Sequence, residues 1–114
     1  MTATILDIHI DKGSAFGMSF KWRDTLGNNL LQPGASFHMQ VRERMIAETV
    51  LLDLSSANGA FTVNGDTVYL RISAALSSPI QAKKGVYDIE VTQGGDTVRL
   101  LQGDVTFSPE VTRA

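Results

Sequence analysis

The sequence predicts an all-β protein that folds as a single antiparallel β-sandwich of seven or eight strands over residues 1–114. Three observations lead to this fold class. Apolar and polar residues alternate over most of the chain, turn residues separate the alternating runs, and only residues 73–80 can form a helical turn. Because parallel strands need long crossover connections, usually helices, the lack of helix argues against a parallel α/β fold.

Composition narrows the classes of function before any motif is considered. Hydrophobic residues make up 43% of the chain and charged residues 19%, which is typical of a folded domain rather than a disordered one. The net charge is -2 and no basic run is longer than Lys83–Lys84, so nucleic acid is not an expected partner. The chain has no cysteine, no signal-peptide pattern and no apolar stretch of membrane-spanning length, so no membrane contact is expected.

The first half of the chain contains four alternating runs. Apolar residues stand at positions 6, 8 and 10 of the first strand, and at 16, 18, 20 and 22 of the second. Trp22 continues this second apolar face, so we expect it in the core rather than on a partner surface. Strands centred on Met39 and Leu52 follow, whereas residues 45–48 fit either a strand or a helical turn.

Two hairpins are predicted in the second half. Asn64–Gly65, between residues 61–63 and 67–72, predicts a tight type I′ turn. Residues 85–109 form the longest alternating segment, with a glycine-rich turn in its middle. Beyond that turn the apolar positions change from even to odd numbers, which predicts a β-bulge near residues 101–103.

Tyr87 gives the predicted sandwich an immunoglobulin-like feature. In immunoglobulin-type domains a tyrosine stands two residues before the second disulfide cysteine and bonds back to the backbone at a corner. Here Tyr87 follows the predicted helical turn, and Ile89 stands where that cysteine would be. The sequence therefore predicts a corner tyrosine with an aliphatic replacement for the disulfide; the alternative is an ordinary packed aromatic side chain.

Residues that could carry chemistry are few and scattered. His9 and His38 fall on the polar faces of separate strands, without a second histidine or a carboxylate at a metal-ligand spacing. Asp24 begins a run of turn residues that fits backbone hydrogen bonding better than a calcium loop. The sequence therefore predicts no catalytic residue, no cofactor, no metal and no small-molecule substrate, and hence no enzyme.

Four segments of the chain carry a family resemblance: IDKGSAFGMSFKWRDTLGN, HMQVRE, TVLLDLSSANGAFTVNG and GVYDIEVTQGGDTVRLLQGDVTFSPEVTR. Together they resemble the small immunoglobulin-like structural proteins of tailed bacteriophages, and are similar to the N-terminal domain of baseplate upper proteins. The resemblance implies a non-enzymatic virion component of the tail, neck or baseplate, made in the cytoplasm of the host bacterium. Its partners would be other virion proteins and copies of itself. Baseplate upper proteins continue into a second region, so a chain ending at Ala114 is expected to act as a free-standing adaptor or decoration.

Two alternatives from other classes stay open. A module that binds carbohydrate or a host surface would need exposed aromatic side chains, and the turns at residues 24–29 and 94–95 contain none. A hydrolase would need a pocket that holds a carboxylate or histidine with a perturbed pKa.

Strand edges are the expected working surface, because an open sandwich leaves backbone N–H and C=O groups unpaired there. Residues 4–10 and 50–54 are the predicted edges. Leu51 is predicted to stand on a polar face beside Asp53, and Ile5 lies on the other edge. The candidate interface residues are therefore Leu51, Ile5 and Asp53, in contact with another virion protein or in a symmetric ring of copies.

Overall fold

The computed structural model describes residues 3–111, which form nine β-strands and one short helix. The all-β class is confirmed, and the helix falls where the sequence predicts a helical turn. The strand count exceeds seven or eight because the first predicted strand is interrupted at Leu6 and Asp7. The elements are β1 (Thr4–Ile5), β2 (Ile8–Asp11), β3 (Phe16–Phe20), β4 (Ser36–Arg42), β5 (Val50–Ser55), β6 (Phe61–Asn64), β7 (Thr67–Ile72), α1 (Ala74–Ser77), β8 (Lys84–Gln93) and β9 (Asp96–Ser108).

The strands form two packed sheets. One has six strands in the order β1-β9-β8-β4-β5, with β2 also pairing with β9, and the other has the order β3-β7-β6. β1 and β2 run parallel to β9, with Thr4 opposite Leu101 and Ile8 opposite Val105. The prediction of a wholly antiparallel sandwich is therefore wrong at this edge. No short turn joins the first strands to the last one, so hairpin geometry does not impose an antiparallel direction on them.

The core lies between the two sheets. Phe37 of β4 stacks on Phe61 of β6 at a ring separation of 5.6 Å and meets the edge of Phe20 of β3 at 6.1 Å. Burying one such aromatic side chain contributes about 1.5–3 kcal/mol to folding. Other fully buried side chains come from both sheets: Ile10, Met39, Val41, Leu54, Val68, Leu70, Ile72, Ile89, Val91 and Val105.

The apolar face of the second predicted strand lies at the border of this core. Phe16, Met18 and Phe20 are half-buried and pack against the buried cluster, and so does Trp22. The predicted inward placement of Trp22 is confirmed. Leu6 is exposed instead, because the interruption between β1 and β2 breaks the alternation that would turn it inward.

The turn of the β6–β7 hairpin differs from the predicted one. Asn64 pairs with Thr67, so the two loop residues are Gly65 and Asp66. Gly65 has φ +65°, whereas no residue other than glycine within 3–111 has a positive φ. A type I′ turn at Asn64–Gly65 is therefore wrong. A positive φ at the first loop position alone fits a type II′ turn, which also follows the right-handed twist of the strands.

The β8–β9 hairpin contains the predicted bulge, slightly earlier than predicted. Ile89 pairs with Leu101 while Glu90 pairs with Arg99, so Leu100 is the extra residue. Because of this extra residue both adjacent leucines are buried. From Leu101 onward the odd positions face inward, as the change of phase in the sequence predicts.

Gly103 allows the N-terminal chain to pass very close to β9. A Cβ atom at this position would lie 2.3 Å from the carbonyl oxygen of Leu6. The Leu6 N–H donates to the Gln102 carbonyl at 2.9 Å, and Asp7 Oδ1 accepts from the Asp104 N–H at 2.9 Å. Residues 6 and 7, between β1 and β2, are thus held close to β9 by hydrogen bonds and are not a frayed end.

Tyr87 adds a further hydrogen bond to this close approach of residue 6 to β9. Its side chain is buried and its hydroxyl donates to the Leu6 carbonyl oxygen at 2.6 Å. The corner-tyrosine prediction is therefore wrong about the acceptor, which belongs to the N-terminal segment. Gly103 stands opposite Tyr87 without a side chain, so the phenol can reach across β9. Burial, together with the nearby Asp7 charge, raises the pKa of Tyr87 to about 12. Ile89 is fully buried.

Candidate functional site

The two predicted edge segments both lie at edges of the six-stranded sheet. β5 forms one edge, and β1 with β2 covers the other. The edge positions predicted from chain order are therefore confirmed. A strand at an edge offers backbone N–H and C=O groups on one side, to solvent or to a partner strand.

Leu51 does not stand where the sequence predicts. Val41 pairs with Leu52 and Arg42 with Val50, which leaves Leu51 as the extra residue of a bulge in β5. Its side chain is half-buried and packs against the core. The prediction of an exposed Leu51 on the polar face beside Asp53 is wrong, because the bulge changes the face to which residue 51 points.

Ile5 and Asp53 are both exposed, but they lie at opposite edges of the sheet. Ile5 is 73% exposed and pairs with Gln102 on β9. Asp53 accepts hydrogen bonds from Gln40 at 3.2 Å and lies 2.6 Å from His38 Nε2. The structure therefore does not bring the three candidate interface residues into one surface.

A groove of about 390 Å³ crosses the outer face of the six-stranded sheet beside Ile5. Ile5 and Met45 supply exposed apolar side chains to it, and Val86 is half-buried among its lining residues. Asp88 and Asp104 add carboxylates. Arg42 and Arg99 line the groove as well, and Arg99 Nε lies 3.4 Å from the Asp88 carboxylate. The groove thus combines apolar contact area with charges of both signs, which is a composition suited to binding another protein.

The loop between β4 and β5 carries the most exposed apolar residues near this groove. Met45 is 85% and Ile46 86% exposed. Arg42 anchors the loop: Nη1 donates to the carbonyl oxygens of Ala47 at 2.6 Å and Glu48 at 3.1 Å. Residues 45–48 are therefore neither strand nor helix. Two adjacent apolar residues in an otherwise polar run were the sequence signal for this surface.

The outer face of the three-stranded sheet has a different character. Tyr69 is 45% exposed on the central strand β7, opposite Ser19 on β3 and Thr62 on β6. Arg71 follows on the same face, opposite Gly17. Small neighbours leave the aromatic ring and the guanidinium uncovered. Because Val68, Leu70 and Ile72 face inward, strand alternation alone would have placed Tyr69 outside.

Positive charge predominates at this second face. Lys21 and Arg23 both approach Asp66 in the β6–β7 turn, with the lysine at 3.8 Å. Desolvation favours the neutral form of Asp66, but the Lys21 charge, a hydrogen bond from Thr67 and the Arg23 charge together outweigh it and lower the pKa of this carboxyl group. The ion pairs formed by residues 3–111 do not include Arg71, whose charge stays available to a partner.

Each histidine has a carboxylate neighbour that strand geometry provides. His38 and Asp53 meet across β4 and β5, and His9 lies 3.0 Å from Asp11 on β2. The hydrogen bond from His38 is the main cause that lowers the pKa of Asp53. Both pairs are exposed and neither lines the groove. Such pairs are typical of solvated strand faces.

The turn at residues 24–29 confirms the prediction that Asp24 bonds its own backbone. Asp24 Oδ1 accepts from the N–H groups of Leu26 and Asn28, at 2.9 and 2.8 Å. These hydrogen bonds lower the pKa of Asp24, the one from Asn28 most. Between residues 3 and 111 no three histidine or acidic side chains gather in an arrangement that could hold a metal ion. Within the same residues no helix has the length and hydropathy to span a membrane.

Comparison with known proteins gives no further guide: no protein-family model matches the chain, and no curated protein matches it either.

Proposed function

We propose that this protein is a non-enzymatic structural component of a tailed-phage virion, an adaptor or decoration of the tail, neck or baseplate. It would be made in the host cytoplasm and act through contacts with other virion proteins and with copies of itself. The observation that carries the proposal is the outer face of the six-stranded sheet, where a groove lies between exposed Ile5 and Met45. The resemblance to immunoglobulin-like phage proteins supplies the setting.

The groove supports contact with a protein in two ways. Ile5 and Met45 are apolar side chains that would lose water on contact, and each fully buried one contributes about 1.5–3 kcal/mol. Beside them the exposed carboxylate of Asp104 can select a partner by charge and set its orientation. A buried apolar centre with a polar rim is typical of specific protein interfaces.

Mass spectrometry of purified virions tests this proposal. Particles of the phage that encodes the chain are banded on a gradient, and peptides of the chain are quantified in the band and in the lysate. We expect the chain in the particles at a fixed ratio to another structural protein. Abundance in the lysate with absence from the particles would contradict the proposal.

One observation favours the alternative of a carbohydrate- or host-surface-binding module. The exposed Tyr69 ring, with Arg71 beside it, offers a stacking surface and a hydrogen-bond donor. The ring lies on a sheet face and not in the turns where such a module is expected to carry aromatics. Binding on a glycan array that is lost in Tyr69→Ala would support this alternative, and an array without binding would count against it.

A further inference from the structure

The two outer faces of the sandwich differ in charge. Outward-pointing charged residues on the strands of the six-stranded sheet comprise five acidic and three basic side chains: Asp11, Asp53, Asp88, Glu90 and Asp104 against Arg42, Lys84 and Arg99. Arg71 is the charged residue on the strands of the three-stranded sheet, with Lys21, Arg23 and Asp66 next to it. One face is therefore acidic and the opposite face basic.

The groove and the basic face also match in polarity. Tyr69 and Arg71 lie on the outer face of β7 with small residues opposite them, so they present one ring and one cation together. The groove offers apolar Ile5 and Met45 for a ring, and the exposed carboxylate of Asp104 for a guanidinium. Arg–carboxylate contacts give geometric specificity as well as energy.

We propose that the face around Tyr69 and Arg71 of one copy docks into the groove beside Ile5 and Asp104 of a second copy. This inference deepens the proposed function, on which it rests for its biological setting. The two surfaces lie on opposite sides of one molecule, so the contact is head-to-tail and not two-fold. Such contacts build rings where the rotation between copies closes, and filaments where it does not.

Charge reversal with complementation tests the contact. Sedimentation velocity of the purified full chain at about 10 μM to 1 mM should show self-association that weakens with added salt. Arg71→Glu and Asp104→Arg should each raise the dissociation constant at least about tenfold. An equimolar mixture of the two should associate again, with a dissociation constant within about threefold of wild type. Each contact between the two variants then joins opposite charges, either the native Arg71 with Asp104 or the introduced glutamate with the introduced arginine.

Two matched variants control for net charge. Lys83→Glu and Asp96→Arg make the same changes at exposed positions away from both surfaces, and they should associate like wild type. Tyr69→Ser, which keeps the charge, should weaken association and shows the contribution of the ring if a charge variant fails to fold.

Three results would overturn the head-to-tail contact. One is a wild-type chain that stays monomeric at 1 mM, the upper end of the range of about 10 μM to 1 mM. Another is association that persists in both Arg71→Glu and Asp104→Arg, which would place the contact at the sheet edges. The third is a mixture that stays as weak as its components. Each leaves the virion role untouched, since mass spectrometry of particles decides that separately.

Discussion

Gly103 and Tyr87 hold the N-terminal segment in place. Gly103 does so because it has no side chain, and Tyr87 does so through its phenol group. The glycine lets the Leu6 carbonyl oxygen come within 2.3 Å of where a Cβ atom would stand. The tyrosine then donates to that same oxygen at 2.6 Å. Because the buried Tyr87 hydroxyl needs a hydrogen-bond partner, this contact adds to the strand pairing that attaches β1 and β2 to β9.

Removing the phenol oxygen should weaken this attachment. Tyr87→Phe keeps the buried ring but leaves the Leu6 carbonyl oxygen without its donor, so we expect a loss of about 1–2 kcal/mol in the free energy of unfolding. Urea denaturation measures it. Tyr69→Phe, at the exposed tyrosine, is the matched control and should change stability by less than about 0.5 kcal/mol. Equal effects of the two substitutions would argue against the bond to Leu6.

The same hydroxyl gives stability a pH dependence. Tyrosine in an unfolded chain titrates near pH 10, whereas burial raises the pKa of Tyr87 to about 12. The unfolded state therefore loses this proton first, so the contribution of Tyr87 is complete below about pH 10 and declines as the pH rises towards 12. The stability difference between wild type and Tyr87→Phe should shrink over that window. Urea titrations from roughly pH 8 to 11, in steps of about one pH unit, measure this difference. A difference that stays constant over the range would contradict the raised pKa.

Gly103→Ala tests directly the close approach of Leu6 to β9. The added methyl group would overlap backbone atoms of Leu6, which cannot move as a flexible side chain could. We expect a loss of at least about 2 kcal/mol, by thermal or urea unfolding, and weaker protection of the Leu6 amide from hydrogen exchange. Gly17→Ala is the control, because the nearest atom to its Cβ is 3.8 Å away. Similar stabilities for the two variants would show that the attachment of β1 does not depend on the close approach of Leu6 to Gly103.

At the scale of elements, two bulges decide which side chains face the core. Leu100 is the extra residue in β9 and Leu51 the extra residue in β5. The first was visible in the sequence, because a long alternating run changes phase there. The second was not, because β5 is short and only Val50 precedes the extra residue in the strand. A deletion of residues 1–10 would remove the buried Ile8 and Ile10, so it would disturb the core as well as the sheet edge.

Leu51→Asp should therefore destabilise the fold rather than only an interface. The half-buried side chain packs against the core, and a carboxylate there would lose apolar contact and remain partly desolvated. We expect a cost of about 1–3 kcal/mol in urea unfolding. Ile46→Asp, at an 86% exposed position, is the control and should leave stability unchanged. An unaltered midpoint for Leu51→Asp would restore Leu51 as a surface residue.

Alternation predicted the positions of the strands well but said nothing about the direction of pairing. Which side chains alternate depends only on local geometry, whereas the parallel pairing of β1 and β2 with β9 depends on contacts between the two ends of the chain. The type II′ turn was missed for a similar reason. Asn64–Gly65 is a strong local signal, yet the pairing of Asn64 with Thr67 shifts the loop by one residue.

In the molecule as a whole, the sandwich carries the groove on its acidic face and a basic aromatic face on the opposite side. Of the predicted interface residues only Ile5 lies at the groove. Met45 and Tyr69 were not predicted, because Met45 lies in a loop and Tyr69 on a central strand, whereas the predicted surfaces were strand edges and turns. Both were within reach of the sequence, as an apolar residue in a polar loop and as an aromatic at an outward position.

Under the proposed function, the surface around Ile5 and Met45 holds this protein in a particle. The double variant Ile5→Asp, Met45→Asp changes two exposed side chains and should unfold at the wild-type midpoint. Quantified in gradient-purified virions, it should fall below about a tenth of the wild-type level, which corresponds to about 1.4 kcal/mol of lost contact. Leu26→Asp, at an 85% exposed leucine remote from the groove, should be incorporated normally. Incorporation of the folded double variant at the wild-type level would contradict the claim.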